Sequence, residues 1–445
     1  MNSNTPQQVI ERLGITALNP MQEASMEAIT QQDEVILISP TGSGKTIAFL
    51  LPLLQLLTEK QHEVQALVVT PTRELALQIE QVWKKMMSGY KVTTCYGGHN
   101  ISIEINNLSQ APTLIIGTPG RIADHLERKS FDASTVQFLF LDEFDKSLEL
   151  GFHDTMDYIY QQLPNLRKKV LISATDALEI PDFVQINNPY SLNFSVPEEK
   201  ATQLSLKLVI SEEKDKINRL FELICSLNSE AALIFCNHRE ATERIHELLK
   251  EKGIHSDFYH GGMDQDDRER ALIQFRNQSN NYLITTDLAA RGLDIPEMKH
   301  VIHYHLPQKE EEFVHRNGRT ARMLASGTAY VLVSRDEFSP DYIPNLPEMV
   351  INNNLPLPQK PDFQTLYVSG GKKHKLRKMD IVGFFLQEGK LDKDDLGLIE
   401  VKDFISFVAV KRTAVKSLLQ NLKDKKMKGK KYKIEIARKP NREVR

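Results

Sequence analysis

The stretch from residue 35 to residue 51 reads VILISPTGSGKTIAFLL and indicates how the first part of the chain folds. Its apolar start predicts a buried strand, and the apolar run after Thr46 predicts a helix. A glycine-rich turn between the two lets backbone N–H groups and the helix N-terminus hold phosphate oxygens. Lys45 can reach the outer phosphates of a nucleotide, and Thr46 can hold Mg²⁺. The stretch therefore predicts a nucleotide site, which is made of these residues: Thr41, Gly42, Ser43, Gly44, Lys45 and Thr46.

Short apolar runs alternate with amphipathic helical patterns on both sides of this turn. In the first half they occupy residues 35–39, 66–70, 113–117, 138–142 and 170–173. In the second half they occupy residues 232–236, 282–285, 301–304 and 329–333. This alternation is typical of a parallel sheet wrapped by helices, so we expect two α/β domains in tandem. Residues 194–206, between the two sets, lose the pattern and predict a linker.

The last part of the chain is basic, whereas the rest is acidic. From residue 364 onward 22 Lys+Arg face 10 Asp+Glu, a balance of +12, and the other residues carry 34 against 49, a balance of −15. A basic module can bind nucleic acid because neutralising phosphates releases counterions, although a solvated lysine-rich surface is the alternative. Its apolar runs follow the order βαββαβ, which predicts the α+β sandwich that RNA-recognition motifs use.

These patterns predict three domains and one linker. The expected domains are residues 1–197, 205–340 and 363–445, and the proline-broken stretch 341–362 is the expected linker. A length of 445 residues suits two to three domains, and 41% hydrophobic with 26% charged residues excludes a disordered or collagen-like chain.

Location can also be inferred from the sequence. The longest apolar stretch, residues 47–57, contains Pro52 and is too short to cross a bilayer. The amino terminus has neither a basic start nor an apolar core, so no secretory signal is expected. Three cysteines without metal-ligand spacing suit a reducing compartment, and we expect a cytoplasmic protein with no membrane contact.

Two further groups of charged residues carry the chemistry. Asp142 follows the run FLFL, and α/β sheets place ligands at the carboxyl ends of strands. Asp142 would bind the metal and Glu143 would orient or activate the attacking water. Three arginines lie three residues apart in residues 315–322 and suit phosphate oxygens, unless they form a salt-bridged surface helix. An acidic helix N-terminus is the corresponding alternative for the carboxylates.

Together these residues resemble a DEAD-box ATP-dependent RNA helicase of superfamily 2, across residues 5–335. Motifs I, II and III correspond to residues 39–46, 142–145 and 173–175. Residues 234–237, 260–268, 286–294 and 315–322 match motifs IV to VI in order and spacing. The resemblance implies two RecA-like domains that close on ATP, Mg²⁺ and one RNA strand, and so disrupt a short duplex.

The resemblance also implies a role for each motif residue. Gln22 would read adenine, Asp294 would lie near the ribose, and Arg319 with Arg322 would reach the γ-phosphate. Asp145, Ser173 and Thr175 would couple hydrolysis to unwinding. The residues expected to hold RNA without reading its bases are Pro71, Thr72, Arg73, Gly98, Thr118, Arg121, Arg268 and Thr286. Phe144 stands where the family usually has Ala, so unwinding is expected to be less efficient than ATP turnover.

The tail resembles the RNA-binding domain of the bacterial DbpA group, whose members act on large-subunit ribosomal RNA. Its expected RNA contacts are Lys372, Lys373, Arg377, Lys426, Lys428 and Lys430. Phe404 and Phe407 are expected either to pack in the core or to stack on bases. This resemblance implies a protein that remodels ribosomal RNA on large-subunit precursors, and we expect it to be a monomer. An ATP-gated clamp or annealing scaffold, or a general cold-shock or mRNA-decay helicase, are the alternatives.

Overall fold

The computed structural model describes residues 6–40, 42–59, 63–174, 180–195, 204–289, 298–320, 327–337, 340–343, 345–352 and 355–437. By its internal contacts the chain divides into two compact units, one built mainly from residues up to 202 and the other mainly from residues 203 onward.

The first unit is a parallel sheet covered by helices on both faces. Its strands are β1 Glu34–Ile38, β2 Ala66–Val69, β3 Val92–Cys95, β4 Leu114–Gly117, β5 Phe138–Leu141, β6 Lys168–Ser173 and β7 Tyr190–Asn193, in the order β3-β4-β2-β5-β6-β1-β7. Its helices are α1 Pro6–Arg12, α2 Pro20–Gln31, α3 Lys45–Leu56, α4 Arg73–Met86, α5 Ile101–Leu108, α6 Pro119–Glu127, α7 Phe144–Glu149 and α8 His153–Gln161. All residues of β2, β4 and β5 are buried, which explains why these strands are continuous apolar runs.

The second unit begins with another parallel sheet. Its strands are β8 Leu204–Ser211, β9 Ala232–Phe235, β10 Ser256–Tyr259, β11 Tyr282–Thr285, β12 His300–His303 and β13 Gly327–Ser334, in the order β10-β11-β9-β12-β13-β8. The helices are α9 Ile217–Ser226, α10 Arg239–Glu251, α11 Gln265–Arg276 and α12 Glu310–Asn317. Both sheets confirm the expected α/β class with two RecA-like domains.

The basic tail forms an antiparallel sheet with two helices. The elements are β14 Phe363–Val368, α13 Lys378–Gln387, β15 Leu396–Val401, β16 Ser406–Lys411, α14 Val415–Leu422 and β17 Ile434–Ile436. The strand order β15-β16-β14-β17 is that of a βαββαβ sandwich. One face of the sheet and the two helices enclose an apolar core that includes Leu366, Phe385 and Val408. The predicted α+β fold of the tail is confirmed.

The other face of this sheet packs on α11. Ile273 of α11 forms a buried apolar cluster with Phe407 and Ala437, and Tyr367 packs against its edge. Polar contacts surround the cluster. Thr365 Oγ1 lies 3.2 Å from Asn277 Nδ2 and 2.7 Å from Ser279 Oγ, Gln274 Nε2 donates to Ala437 O at 2.7 Å, and Arg276 pairs with Glu400 at 2.8 Å. The tail is therefore held against α11 by packing and hydrogen bonds, in addition to its covalent connection to the preceding domain.

Two stretches expected to be linkers contain ordered structure. Strand β8 begins at Leu204, inside the stretch 194–206, because LSLKLVIS pairs with all of β13. Within 341–362, Met349 N donates to Leu208 O at 2.7 Å and Ile351 is buried in the core of the second sheet. Proline excludes this stretch from a central strand, yet its apolar side chains cover the sheet edge. Among the described residues no helix is long and apolar enough to cross a membrane.

Candidate nucleotide and RNA sites

The glycine turn after β1 has the backbone that a phosphate loop requires. Gly42 and Gly44 have φ values of 85° and 93°, which favour glycine, and α3 begins directly after Gly44. A Cβ atom on Gly44 would lie 2.5 Å from Gln22 Nε2, so a side chain does not fit there. The turn therefore brings backbone amides and the N-terminus of a 12-residue helix to one place.

Lys45 lies at the centre of this turn. It is only 9% exposed, and its Nζ donates to Ser39 O at 2.7 Å. Ser39 Oγ in turn donates to Ser43 Oγ at 2.7 Å. The ammonium of Lys45 and the hydroxyl of Ser43 thus both contact Ser39 within one loop. Thr46 is the second residue of α3, and Thr41 lies outside the described residues.

Helix α2 is hydrogen-bonded to the same loop. Asn19 and Gln22 form a capping box, in which each side chain accepts from the other's backbone N–H at 2.9 and 3.0 Å. The same two side chains donate to the loop: Asn19 Nδ2 to Ser43 O at 3.0 Å, and Gln22 Nε2 to Gly44 O at 3.3 Å. Gln22 is therefore held beside the phosphate loop, and its contact with adenine stays a prediction.

The carboxylates of the second motif lie at the end of β5. Asp142 is 3% exposed, and burial together with the charge of Glu143 raises its pKa to about 7. Lys45 opposes this rise, which indicates that the lysine and the carboxylate act on each other. Glu143 has φ 47°, a left-handed backbone that is rare for a residue with a side chain. Such strain is commonly kept at functional sites.

The next three motif residues are also buried. Phe144 is completely buried in the core cluster that contains Ile38, Leu141 and Leu171. Asp145 is 8% exposed and Ser173 is fully buried at the end of β6. Ser39 N donates to Ser173 O at 3.1 Å, so the phosphate loop and the third motif are joined through the backbone. Thr175 lies outside the described residues.

The expected RNA residues occupy the other half of the same sheet edge. Arg73 begins α4, after the buried Pro71 and the N-cap residue Thr72. Gly98 has φ 100°, and a Cβ atom there would lie 2.3 Å from Arg73 Nη1. Thr118 follows β4 and occupies the N-cap position of α6. The absence of a side chain on Gly98 therefore leaves room for the guanidinium of Arg73.

A buried acidic residue supports Arg121. Glu104 is 1% exposed and accepts from Arg121 Nη1 at 3.1 Å, and His125 Nε2 lies 2.7 Å from it. His99 Nε2 is 2.9 Å from the other oxygen of Glu104. This network was not predicted, although a glutamate within the apolar run ISIEI of α5 is a visible signal in the sequence.

The same cluster has the composition of a metal site. Ligand atoms of Cys95, Glu104 and His125 all lie within 4.8 Å of one another. However, burial raises the pKa of the Cys95 thiol, and the cation of Arg121 already binds Glu104. A metal ion would have to displace that arginine, so the geometry favours a hydrogen-bonded network.

Strand order explains why one edge serves both groups. The nucleotide residues follow β1, β5 and β6, and the RNA residues follow β2, β3 and β4. In the sheet these form two adjacent blocks, β3-β4-β2 and β5-β6-β1. The carboxyl ends of parallel strands share one edge, so the residues expected to bind the nucleotide and those expected to bind RNA lie side by side.

In the second sheet, Arg316 has a structural role. It is fully buried and binds Asp287 through two hydrogen bonds of 2.6 and 2.8 Å, and its Nη2 donates to Asn237 Oδ1 at 2.9 Å. The salt-bridged alternative thus applies to the first of the three arginines, but as a buried pair. The pair joins the ends of strands β9 and β11 to α12.

The remaining motif residues of this sheet are found as follows. Arg319 follows the end of α12 and is 3% exposed. Arg268 is 5% exposed on α11 and donates to the hydroxyl of Tyr259 at 3.2 Å, and Thr286 follows β11. Asp294 and Arg322 lie outside the described residues.

On the tail, the expected basic contacts are all exposed, whereas the two phenylalanines differ in exposure. The expected contacts Lys372, Lys373, Arg377, Lys426, Lys428 and Lys430 are all exposed. Phe407 is 2% exposed and packs against α11, whereas Phe404 is 63% exposed. Core packing therefore holds for Phe407 only.

Comparison with known proteins agrees with this arrangement. The family models for DEAD/DEAH box helicase, helicase conserved C-terminal domain and DbpA RNA binding domain match residues 19–182, 215–324 and 365–436. In solved structures, the chain is similar to the DEAD-box helicase Mss116 bound to ssRNA and UDP-BeF, with a TM-score of 0.65 and 29% identity, covering 74% of this chain and 73% of that one. S. cerevisiae Dbp5 bound to RNA and ADP BeF3 gives a TM-score of 0.64 at 26% identity, covering 74% and 87%.

Fold and site define an RNA helicase of the DEAD-box class, an enzyme that hydrolyses ATP when RNA stimulates it. Two relatives match along nearly the whole chain. ATP-dependent RNA helicase DbpA of Bacillus subtilis (strain 168) is 30% identical over 97% of both chains, and the Escherichia coli (strain K12) protein of the same name is 31% identical over 96% of both. The chain therefore belongs to the DbpA group of DEAD-box ATP-dependent RNA helicases.

Proposed function

We propose that this helicase remodels structured ribosomal RNA during assembly of the large ribosomal subunit. ATP-driven closure of its two RecA-like domains on one RNA strand would bend that strand and open a short duplex. The observation that carries the proposal is the shared edge of the first sheet, where the nucleotide residues and the RNA residues lie in adjacent blocks. Binding of one ligand there changes the surroundings of the other.

The chain's own residues supply the hydrolysis chemistry under this proposal. Lys45 neutralises charge on the outer phosphates, and Glu143 orients the attacking water at the end of β5. Arg319 and Arg322 would add positive charge to the γ-phosphate from the second domain.

Oxygen donors suited to Mg²⁺ are present. Asp142 is a buried carboxylate whose pKa is raised to about 7, so a nearby cation would relieve the cost of its ionisation. Thr46, which follows Lys45 in α3, would add a hydroxyl oxygen, and hard oxygen ligands are those that Mg²⁺ prefers. When bound, Mg²⁺ neutralises charge on the phosphate oxygens.

RNA would be held through its backbone. Arg73, Arg121 and Arg268 suit phosphates, while the neighbouring Gly98 and Thr118 allow close approach of a sugar-phosphate chain. Contacts of this type do not read sequence, so selectivity for ribosomal RNA is assigned to the basic tail. We propose that the protein acts as a cytoplasmic monomer on large-subunit precursors, and the three buried, free cysteines are in keeping with a reducing compartment.

A second function is an ATP-gated RNA clamp with little unwinding. The observation that favours it is Phe144, which precedes Asp145 and is completely buried. Its large ring stands where the family usually has Ala. Movement of the second motif relative to Ser173 would then be restricted. Duplex unwinding measured beside ATP turnover separates the two functions, because a clamp hydrolyses ATP without releasing a strand.

The deciding experiment is steady-state ATP hydrolysis without RNA, with poly(A), and with intact large-subunit ribosomal RNA at one fixed salt concentration, since electrostatic binding depends on salt. Stimulation by ribosomal RNA well above that by poly(A) is expected. Equal stimulation by both RNAs contradicts the ribosomal assignment and moves the function to general RNA remodelling. Glu143→Gln serves as the inactive control, and full activity in that variant contradicts the role given to Glu143.

A further inference from the structure

The sheet of the tail has its aromatic face covered. Tyr367 and Phe407 lie on the face that packs against α11, and Phe407 is only 2% exposed. Their rings are 6.1 Å apart at 69°, an edge contact within that packed layer. Bases therefore cannot stack on Phe407 while the tail packs on α11. An aromatic surface for RNA has to lie elsewhere on the domain.

Three other rings form such a surface at one end of the sheet. Phe404 precedes β16 and is 63% exposed, although it is a large apolar ring. The ring of His374 lies 6.2 Å from that of Phe404 and 6.0 Å from that of Tyr432, with both pairs edge to face. Phe404, His374 and Tyr432, which we name the aromatic patch, thus support one another and leave Phe404 outermost.

The patch is held in place by the loop at residues 370–374. Lys372 N donates to Lys402 O and Lys373 N donates to Asp403 O, both at 2.8 Å, so the loop is fastened to the turn that carries Phe404. A Cβ atom on Gly370 would lie 2.5 Å from Tyr432 Cε1, which shows how closely the ring approaches. These contacts hold the backbone around Phe404 without a ligand, which lowers the entropy cost of binding one.

Charge and hydrogen bonding around the patch suit a nucleotide. The side chains of Lys372 and Lys373 are exposed, and within the described part of the chain neither takes part in a salt bridge. Gly371 N donates to His374 Nδ1 at 3.1 Å, which places the imidazole proton on Nε2 as a donor. Asp403 is an acidic neighbour of Phe404, but the lysines of the same loop outnumber it.

We propose that Phe404 is the base-stacking platform of the tail and takes one unpaired nucleobase of an RNA loop, whose flanking phosphates bind Lys372 and Lys373. Stacking on an exposed ring tolerates any base, because each base has a π-face, whereas the lysines bind phosphates and read no sequence. This inference rests on the proposed function, since it concerns how the tail of an RNA helicase holds its RNA.

The test compares two synthetic RNA hairpins, one with an unpaired purine loop and one with the same loop made abasic. Binding to the full chain is measured by fluorescence anisotropy without nucleotide. Phe404→Ala is expected to weaken binding of the purine-loop hairpin about 5- to 100-fold and to leave the abasic hairpin unchanged. In Phe404→Trp, which keeps an aromatic ring, binding stays tight and the purine loop alone quenches the new fluorescence.

Matched variants make the result specific. Leu398→Ala removes another exposed apolar side chain, 54% exposed on the same domain, and should bind both hairpins as the wild type does. Lys372→Gln should weaken both hairpins equally, because both carry phosphates. The proposal is overturned if Phe404→Ala binds the purine loop as tightly as the wild type, or if it loses both hairpins to the same extent.

Failure of this inference can be told apart from failure of the proposed function. ATP hydrolysis by the wild-type chain that no RNA stimulates contradicts the helicase function, whatever the hairpins show. If RNA stimulates ATP hydrolysis by the wild-type chain but Phe404→Ala binds the hairpins as the wild type does, only the stacking role of Phe404 is contradicted.

Discussion

The guanidinium of Arg73 occupies the space that a side chain on residue 98 would need. A Cβ atom on Gly98 would lie 2.3 Å from Arg73 Nη1 and 3.0 Å from its Cζ. The glycine, at φ 100°, thereby leaves the space that the arginine occupies, at the end of the first sheet where RNA contacts are expected.

We expect Gly98→Ala to displace Arg73 and to raise the RNA concentration needed for half-maximal ATPase stimulation about tenfold, the cost of one charged hydrogen bond. The measurement is ATP hydrolysis against RNA concentration. Gly151→Ala is the matched control, because Gly151 also has positive φ, 80°, but nothing lies within 4 Å of an added Cβ. It should lose some stability without any change in the RNA dependence. Equal RNA dependence in both variants contradicts the role of the contact.

Asp142 should make stability depend on pH. Its folded pKa is raised from 3.8 to about 7, so the folded protein holds this proton more tightly than the unfolded chain. Its stabilising contribution is complete below about pH 4 and is lost as the pH rises through 7. Asp142→Asn imitates the protonated form and should raise the Tm at pH 8 more than at pH 5, by scanning calorimetry without nucleotide or metal.

A variant of an exposed carboxylate provides the comparison for Asp142. Asp154→Asn removes a fully solvated group, and its effect on the Tm should be small at both pH values. A Tm difference between Asp142→Asn and the wild type that does not change with pH would contradict the raised pKa.

Glu104 is expected to act as a positioning residue for Arg121. Glu104→Gln keeps the shape but loses the charge that holds Arg121 at 3.1 Å and His125 at 2.7 Å. We expect a loss of about 1–3 kcal/mol in the free energy of unfolding and weaker ATPase stimulation by RNA at unchanged maximal rate. Asp124→Asn, which breaks only the half-exposed pair with Arg128, should change neither quantity by a comparable amount. A lowered maximal rate in place of weaker stimulation would argue against a positioning role.

The pair of Arg316 and Asp287 should be important for stability of the second domain. Asp287→Asn leaves a fully buried guanidinium without its charged partner, which costs about 3–5 kcal/mol in such pairs. Urea unfolding measures the loss. Glu212→Gln breaks the exposed pair with Arg335 and should cost less than about 1 kcal/mol. Similar losses of unfolding free energy in the two variants would mean that burial does not determine how much an ion pair stabilises the domain.

Much of the fold could be predicted because its central strands are continuous apolar runs. The strands that escaped the pattern are less apolar or lie at sheet edges. β3 is VTTC and β10 is SDFY, β7 is an exposed edge strand with Tyr190 50% exposed, and β8 is an edge strand of the second sheet. Local sequence carries too weak a signal for such segments, since neighbouring strands determine their conformation.

The placement of the motif residues was predictable because they are close in sequence to strand ends, while their contacts with nucleotide and RNA stay predictions. The Glu104 network and the packing of the tail on α11 were not predictable, since each depends on contacts between distant segments. Phe404 and Phe407 illustrate the limit. Three positions apart in one sequence pattern, they differ in exposure from 63% to 2%, and only the packing of the sheet on α11 decides which is which.

Helix α11 carries Arg268 in its first turn and Arg276, paired with Glu400 of the tail, at its end. At 1.5 Å per residue, these positions are about 12 Å apart along one rigid helix. Under the proposed function this helix sets a fixed distance between two RNA contacts. The RNA segment bound by the tail and the strand bound by the RecA-like domains would then be separated by a fixed length of RNA. Nucleotides inserted between the two segments should therefore change which base pairs are opened.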